Sequence, residues 1–237
     1  MALHAEIETD GFGIVPQLID RGLAHHLIAE IETLDRNNAA IRRRGQNKAT
    51  YAIRNLLTEI RDVQDLADGH ACLSVVAEAL GKTGYPVRGI LLDKMPEANW
   101  KVCWHQDCAI PLQKKIETEG FAGWSQKAGV IHAEAPASVL EEMVTLRIHL
   151  DDCGLSNGPL RVIPGSHREG VIPRERIAEW AESRKALDLC VSMGDAILMK
   201  PLLLHASAPA VSPEHRRVIH IEYAACLLPN GLAFATS

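Results

Sequence analysis

The sequence lacks an excess of positive charge. Its 237 residues include 25 Lys and Arg against 30 Asp and Glu, which gives a formal net charge of -5. Proteins that bind phosphate backbones or anionic lipid surfaces usually carry the opposite sign. The charge balance therefore argues against nucleic acid and membrane surfaces as partners.

A long apolar run and a basic amino-terminal segment are also missing. No uninterrupted apolar stretch approaches the roughly 20 residues that span a bilayer. The opening MALHAEIETD carries acidic residues where a secretory signal has basic ones. We therefore expect a cytoplasmic protein.

Paired cysteines are the third absence. The chain has six scattered cysteines and no CxxC pair. In a chain of this length, such spacing indicates reduced thiols rather than a disulfide framework or a structural zinc site.

What is present is typical of a globular domain, with 47% hydrophobic and 23% charged residues. No repeat, low-complexity tract or linker marks a boundary, so we expect one domain over residues 1–237. Its amino-terminal part, about 1–85, is predicted to be helical. A β core is expected to occupy about 86–228.

Helical spacing of apolar residues predicts helices over 16–36, 52–66 and 71–82, and a further inserted helix near 173–184. The basic run Arg42 to Arg44 is interpreted as a solvated loop, and capture of an anionic substrate is the alternative. From Val87 onward, short β-type runs follow one another without intervening helices. The pattern favours a mainly β fold, an antiparallel sandwich or barrel with flanking helices.

The first chemical signal is His105-Gln106-Asp107, since residues two apart on an extended chain project from the same face. His205 follows at the end of the run AILMKPLLLH. Two histidines and one carboxylate form the ligand set of non-haem Fe(II) oxygenases, which leaves coordination positions open. An HxD pair alone is a weak signal, because eleven histidines produce such pairs by chance.

Two adjacent arginines strengthen that signal. Arg216 and Arg217 begin the strand-like run RRVIHIEYA, and a guanidinium there suits bidentate binding of a carboxylate. Strand alternation puts the two on opposite faces, so only one can point inward, and periodicity does not choose between them. In MVTLRIHL, Arg147 belongs to a polar face that either lines a pocket for an acidic group or forms a structural row.

Several motifs together resemble the phytanoyl-CoA dioxygenase family of Fe(II)- and 2-oxoglutarate-dependent oxygenases. DGFGIVPQLID is similar to its amino-terminal segment, HQD to its HxD motif, and LDDCGLSNGPLRVIPGSHREG to its stretch ending in PGSH. The resemblance implies a double-stranded β-helix, or jelly roll, in which His105, Asp107 and His205 bind Fe(II). The family spacing of eleven residues after His205 implies that Arg216 holds 2-oxoglutarate.

Weaker correspondences extend the resemblance. Ile90 and Trp124 fall near family positions that pack on 2-oxoglutarate, and Arg54 falls where the family often has a lysine that reaches it. Core packing is the alternative for the first two residues, and a solvated helical side chain for the third. His167 in PGSH is assigned to a structural turn rather than to the metal.

The implied activity is hydroxylation of a small metabolite with dioxygen, with release of succinate and CO2 from 2-oxoglutarate. Asp107 favours hydroxylation, because related halogenases have a small residue in its place. The long segment 108–142 is a candidate lid that selects the substrate. Family membership does not identify that substrate.

Three alternatives stay open at this point. A cupin-like metal enzyme could share the jelly roll and the histidines without using 2-oxoglutarate. A zinc site could use Cys103, His105 and Cys108, although their spacing fits no compact zinc pattern. A jelly-roll binding module without catalysis could also keep the three ligands by descent.

Overall fold

The computed structural model of the protein describes residues 2–34, 38–44 and 49–237. The α-helices are α1 (Ala2–Asp10), α2 (Arg21–Thr33), α3 (Leu56–Glu59), α4 (Arg61–Ala67), α5 (His70–Leu80), α6 (Ala137–Leu140) and α7 (Ile177–Glu182). The strands are β1 (Phe12–Val15), β2 (Ile41–Arg44), β3 (Ala49–Ile53), β4 (Tyr85–Lys94), β5 (Val102–His105), β6 (Ala109–Leu112), β7 (Ala122–Lys127), β8 (Val130–Glu134), β9 (Met143–His149), β10 (Leu160–Val162), β11 (Leu187–Leu189), β12 (Ala196–Met199), β13 (His205–Ser207) and β14 (Arg216–Ala224).

Two antiparallel sheets form the centre of the protein. The large sheet has the order β1-β12-β9-β14-β4-β3-β2, and the small sheet has the order β11-β10-β13-β5. The sheets face each other, because Lys94 of the large sheet donates a hydrogen bond to Ser207 of the small one. This arrangement is a jelly roll with flanking helices, which confirms the predicted fold class.

The outer face of the large sheet packs on the helices. Val144, Leu146 and Ile148 of β9 join one hydrophobic cluster with residues of α2 and α5. Thr145, Arg147 and His149 of the same strand are buried and point the other way, towards the small sheet. The polar face of MVTLRIHL therefore lines the interior between the sheets and is not exposed to solvent.

A third sheet, with the order β6-β8-β7, is formed entirely by strands of the segment predicted as a lid. Phe121, Ile110 and Leu112 contribute to a second hydrophobic cluster, which also includes Met143 of the large sheet. Residues 108–142 are thus part of the packed structure. The length of the segment had suggested a lid, but Ile110 and Leu112 of β6 and Ala133 of β8 are buried in this cluster.

The amino-terminal part differs from the expectation of helices alone. Strands β1, β2 and β3 join the large sheet. A helix was expected over 52–66, and α3 and α4 occupy most of that range, but β3 runs to Ile53 and the chain then turns at Asn55, whose φ is 56°. β-branched and aromatic residues in Ala49–Ile53 favour the strand. The run Arg42 to Arg44 likewise lies in β2 and not in a loop, while the helices expected around 16–36 and 71–82 occur as α2 and α5.

The six cysteines are free thiols. Within the described ranges, no helix is both long and apolar enough to cross a membrane.

Candidate metal centre and cleft

The turn at His105-Gln106-Asp107 is held by the middle residue. Gln106 Nε2 donates to the carbonyl oxygens of Leu202 at 2.7 Å and Gly170 at 2.9 Å, and its Oε1 accepts from the backbone N–H of Ile172 at 2.8 Å. The Gln106 side chain is therefore directed into the protein. His105 and Asp107, on either side of it, point together into the cleft between the sheets.

His205 completes the cluster from the neighbouring strand. It pairs with His105 in the register of β13 and β5, and the two ring centroids lie 4.2 Å apart. The Nε2 atoms of His105 and His205 are 3.4 and 3.5 Å from the Asp107 carboxylate oxygens. One ligand atom from each residue lies within 4.8 Å of the others, which is close enough to bind one ion.

Backbone carbonyls orient both imidazoles. Nδ1 of His105 donates to Cys103 O at 2.9 Å, and Nδ1 of His205 donates to Leu203 O at 2.8 Å. These bonds keep the proton on Nδ1 and leave the Nε2 lone pair free for a metal. Asp107 Oδ2 is buried and has no hydrogen-bond partner among the described residues.

The electrostatics match a cation site. Burial opposes ionisation of Asp107, but His205 and His105 outweigh it and hold the pKa of this carboxyl well below its usual value. Burial lowers the pKa of His205 to about 3. The cluster therefore presents a carboxylate next to a neutral imidazole, the protonation states in which these groups bind metals.

The PGSH turn supports His205 from behind. Ser166 Oγ accepts a hydrogen bond from the backbone N–H of Leu204 at 2.8 Å, and Gly165 before it has a φ of 75°. A positive φ at this position favours glycine. His167 contacts the carbonyl of Glu8 at 3.2 Å and lies outside the metal cluster, as predicted.

Asp107, His220 and Glu222 form a second group of potential ligands. Arg147 donates to His220 Nδ1 at 2.8 Å, so the ring proton lies on Nε2, which faces Glu222 at 3.4 Å. Glu222 also pairs with Arg88. These contacts already engage the atoms of His220 and Glu222 that could bind a metal. The group formed by His105, Asp107 and His205 is therefore the better metal site. Neither group in the described part of the chain contains a cysteine, which argues against the zinc alternative.

A cleft of about 1280 Å³ opens over the cluster. Its lining includes His105, Asp107, Ile90 and Ser207. Ile90 and Arg54 thus lie at the cleft, as the resemblance implied. Trp124 does not: it packs against the second hydrophobic cluster, while its neighbours Gly123 and Ser125 face the cleft. Strand alternation is the reason, since residues next to each other on β7 point to opposite sides.

Arg216 and Arg217 do point in opposite directions. Arg216 is 3% exposed and donates from Nη1 to Ser207 Oγ at 3.1 Å and to the carbonyl of Gly158. Arg217 forms a bidentate pair with Asp151, at 2.9 and 2.8 Å, and contacts Glu32. Arg217 therefore has acidic partners already, and Arg216 is the arginine between the sheets.

Lys94 was not identified from the sequence. It is fully buried, lies opposite Arg216 in the register of β4 and β14, and donates from Nζ to Ser207 Oγ at 2.8 Å. Burial, together with Arg216, lowers the pKa of Lys94 to about 7. Neither Lys94 nor Arg216 has an acidic hydrogen-bond partner in the described ranges, so two buried basic side chains meet without an acidic partner to balance their charge.

The sequence held partial signals for these residues. Arg88, Ile90 and Lys94 share one face of β4 by strand alternation, which could have placed Lys94 between the sheets. Ser207 stands two residues after His205 and therefore shares its strand face. No local pattern in the sequence pointed to Gln106, because its hydrogen-bond partners Gly170 and Leu202 lie 64 and 96 residues further along the chain.

Comparisons with known proteins agree with this geometry. The chain is 28% identical over 146 residues to L-proline trans-4-hydroxylase of Streptomyces griseoviridis, a match that covers 51% of this chain and 47% of the relative. The chain spans about half the length of the curated relatives it matches.

Solved structures show the same fold. AviO1 from Streptomyces viridochromogenes Tue57 superposes with a TM-score of 0.71 and 22% identity, over 96% of both chains. EctD from S. alaskensis, solved with 2-oxoglutarate and 5-hydroxyectoine, superposes with a TM-score of 0.69 and 21% identity, over 94% of this chain and 74% of that one. A family model described as phytanoyl-CoA dioxygenase matches residues 7–218. With the jelly roll and the His-Asp-His cluster in place, this match shows that the chain belongs to the phytanoyl-CoA dioxygenase family.

Proposed function

We propose that the protein is a non-haem Fe(II)- and 2-oxoglutarate-dependent oxygenase that hydroxylates a small molecule. One observation carries the proposal: the His-Asp-His cluster lies in the same interior between the sheets as the buried side chains of Lys94 and Arg216, which have no acidic hydrogen-bond partner among the described residues. The first suits a divalent metal and the second suits the far carboxylate of a dicarboxylic acid.

His105, Asp107 and His205 would hold the iron. Three protein ligands leave positions open for a co-substrate and dioxygen. The residues fit such an ion, since both Nε2 atoms are free and Asp107 Oδ2 is buried without a hydrogen bond among the described residues. When bound, Fe(II) with 2-oxoglutarate supplies the oxidising chemistry, in which dioxygen is consumed, succinate and CO2 are released and one oxygen atom passes to the substrate.

Arg216 and Lys94 would hold the co-substrate at its other end. Ser207 fixes both cations by accepting from each, while its own hydroxyl proton goes to the carbonyl of Gly158 at 2.9 Å. An incoming carboxylate then meets two positioned donors and needs little reorganisation. Ile90 contributes an apolar wall of the cleft.

The chemistry of the relatives supports a small substrate. L-proline trans-4-hydroxylase is named for a free amino acid, and the EctD structure contains 5-hydroxyectoine. Asp107 supplies the carboxylate ligand that the resemblance associates with hydroxylation. Exclusion of bulk water from the cleft would fall to the strands around it, chiefly β5, β7 and β13.

Two predictions from the sequence accompany this proposal. A single domain over residues 1–237 is supported because β1, β2 and β3 share the large sheet with later strands. The expected lack of nucleic-acid partners is supported by the net charge of -5, and a cytoplasmic location stays a prediction from the sequence.

The proposal is tested by anaerobic titration of the metal-free protein with Fe(II) and then with 2-oxoglutarate. We expect the weak visible charge-transfer band of the chelated complex, and its loss in Asp107→Ala, with Fe(II) affinity reduced more than about 100-fold because a direct ligand is missing. His167→Ala is the matched control, since this histidine lies outside the cluster.

Two results would contradict the proposal. Tight Fe(II) binding without the band after 2-oxoglutarate is added would favour a cupin-like enzyme that does not use this co-substrate. Absence of metal binding would favour a non-catalytic binding module.

A further inference from the structure

One wall of the cleft carries three cationic side chains that the iron and 2-oxoglutarate sites do not use. They are Arg54, which follows β3, Arg88 of β4 and Lys127 at the end of β7, and all three line the cleft. Asn55 Nδ2 donates to the carbonyl of Ala128 at 2.9 Å. This bond joins the residues that immediately follow Arg54 and Lys127, and so it holds the two cations on the same side of the cleft.

Both linking residues adopt the left-handed backbone conformation, with φ of 56° at Asn55 and 49° at Ala128. Asparagine tolerates this region, whereas alanine does so at a cost of about 1 kcal/mol. Two tight turns therefore meet at a single side-chain hydrogen bond. Arg54 and Lys127 project from fixed turns and not from free loops.

The positive charge of this wall is not compensated. Arg88 pairs with Glu222, which neutralises one of the three cations. Arg54 and Lys127 form no ion pair with any residue in the described ranges. Nearby His132 adds no positive charge, because burial and Arg88 lower its pKa to about 4 and the ring is neutral. The wall therefore carries two net positive charges in a protein whose overall charge is -5.

The other ion pairs at the cleft are internally neutral. Arg174 pairs with Glu134, and Arg161 pairs with Asp188 at 3.1 Å. The excess charge is thus concentrated on the Arg54 side of the opening. Lys101 also lines the cleft, but it is exposed to solvent.

Like charges that are partly buried together repel one another. Burial lowers the pKa of Arg54, and Arg42 and Arg88 lower it further. The pKa of Lys127 is lowered by burial, then by Arg88 and Arg54. Arg88 is 8% exposed, and its Nε–H is buried without a hydrogen-bond partner among the described residues. A bound anion would remove the repulsion and satisfy this donor.

This wall is distinct from the place proposed for 2-oxoglutarate. The charges of Arg42 and Arg88 lower the pKa of Arg54, whereas the charge of Arg216 lowers the pKa of Lys94. Lys94 and Arg216 converge on Ser207 of β13, while Lys127 lies in the third sheet. If one end of 2-oxoglutarate binds the metal, only one carboxylate remains at its other end. Arg216 would bind that carboxylate, so the co-substrate needs no further cationic partner.

We propose that Arg54, Arg88 and Lys127 form the receptor for an anionic oxygen group of the substrate, such as a carboxylate. The inference rests on the proposed function, because it assumes that 2-oxoglutarate occupies the Arg216 side. Arg54 then serves the substrate and not the co-substrate, unlike the role implied by the family resemblance. Arg88 is a positioning residue as well, since its pair with Glu222 fixes the guanidinium that faces the anion.

The test uses the full chain loaded with Zn(II) in place of Fe(II) and saturated with 2-oxoglutarate, so that the inner site is filled. Trifluoroacetate is the probe, trifluoroacetamide is its neutral counterpart, and binding of each is followed by ¹⁹F NMR line broadening. The variants are Lys127→Gln, Arg54→Gln and the double substitution. Lys185→Gln removes the same charge from an exposed position outside the cleft and is the matched control.

We expect trifluoroacetate to bind the unmodified protein and trifluoroacetamide not to bind. Affinity for trifluoroacetate should fall about tenfold or more in the double variant, while Lys185→Gln stays unchanged. Lys127→Gln alone should already weaken binding, and it removes no hydrogen bond to a described residue, so folding of this variant is expected. Arg54→Lys, which keeps the charge, should restore part of the affinity.

Several results would overturn the inference. They are failure of trifluoroacetate to bind, equal binding by both probes, and equal affinity in the double variant and Lys185→Gln. A fourth is weaker 2-oxoglutarate binding in Arg54→Gln with unchanged probe affinity, which would assign Arg54 to the co-substrate. The Fe(II) charge-transfer titration separates failure of the proposed function from failure of this inference. Absence of the band in the unmodified protein would reject the oxygenase, whereas binding of the probe tests only the anion receptor.

Discussion

At the scale of single residues, Arg216 and Arg217 show that a shift of one position along a strand changes the groups that a side chain contacts. Both are arginines at the start of β14. Arg217 faces Asp151 and Glu32, which neutralise it, whereas Arg216 points between the sheets towards Lys94 and Ser207. A buried guanidinium without an acidic partner is costly, and an anionic ligand would offset that cost.

Arg216→Ala should raise the dissociation constant for 2-oxoglutarate by about 30-fold or more, because loss of a desolvated charge partner costs about 2 kcal/mol or more. The measurement is the anaerobic charge-transfer titration at fixed Fe(II). Arg217→Ala is the matched control, and it should lower thermal stability without changing the requirement for 2-oxoglutarate. The opposite pattern would assign the co-substrate to Arg217.

Gln106 is expected to act through its neighbours. Gln106→Ala removes three hydrogen bonds that hold the turn carrying His105 and Asp107. Fe(II) affinity should fall about 10- to 100-fold, as for other residues that orient metal ligands. Gln106→Glu keeps the acceptor for Ile172 but loses both donors, so it should give an intermediate affinity. If both variants bind Fe(II) like the unmodified protein, the turn is held by the strands alone.

The candidate site was predictable from the sequence to different degrees. His105 and Asp107 could be found because a spacing of two on an extended chain is a local property. His205 could be proposed as the third ligand from its place at the end of an apolar run, but the choice of Arg216 over Arg217 needed the family spacing. Lys94, Ser207 and Gln106 depend on partners far along the chain, and local periodicity carries no information about such contacts.

At the scale of elements, the structure gives the segment 108–142 a different role from the one predicted. Its length between two predicted strands suggested a lid that selects the substrate. The structure instead shows a three-stranded sheet whose side chains fill the second hydrophobic cluster. Deletion of the whole segment would expose Met143 and Leu202 of that cluster, so substrate choice is better studied by exchanges in the β7–β8 turn around Ala128.

Phe121→Ala tests this role of the third sheet. The side chain is 7% exposed, and its loss should reduce the free energy of unfolding by about 3 to 5 kcal/mol through the cavity it leaves. Urea denaturation of the metal-free protein measures the effect. Leu227→Ala, at a position 91% exposed, should change stability by less than about 0.5 kcal/mol. Similar small effects in both variants would show that the sheet is not part of the core.

At the scale of the whole molecule, the buried interior holds several histidines in the neutral form. His132 is 2% exposed, and burial followed by Arg88 lowers its pKa to about 4. Burial, and then Arg147 and Arg216, hold the pKa of His149 well below its usual value. In the unfolded chain these rings take up a proton near pH 6.5. The unfolded state therefore binds more protons than the folded state in mildly acidic solution.

The folded protein should lose stability as the pH falls from about 6.5 towards 4. Each such histidine contributes a slope of about 1.4 kcal/mol per pH unit in that window, and its contribution is fully present only above pH 6.5. Urea denaturation of the metal-free protein at several pH values measures the slope. His132→Gln should reduce this slope by up to about 1.4 kcal/mol per pH unit, the contribution of one proton. His25→Gln, on the surface, should leave the slope unchanged. An unchanged slope in His132→Gln would mean that this ring is protonated in the folded protein.

Periodicity and local motifs in the sequence predicted the class of fold, the helices α2 and α5, most strands of the two facing sheets and the proposed metal ligands His105 and Asp107. Each of these depends on short-range periodicity or on motifs that lie within a few residues. Only the tertiary structure decided that Arg216 meets Lys94, that Trp124 turns away from the cleft, and that Arg54 and Lys127 share one wall. The physical reason is that these arrangements depend on which strands become neighbours, and on a hydrogen bond between turns 73 residues apart.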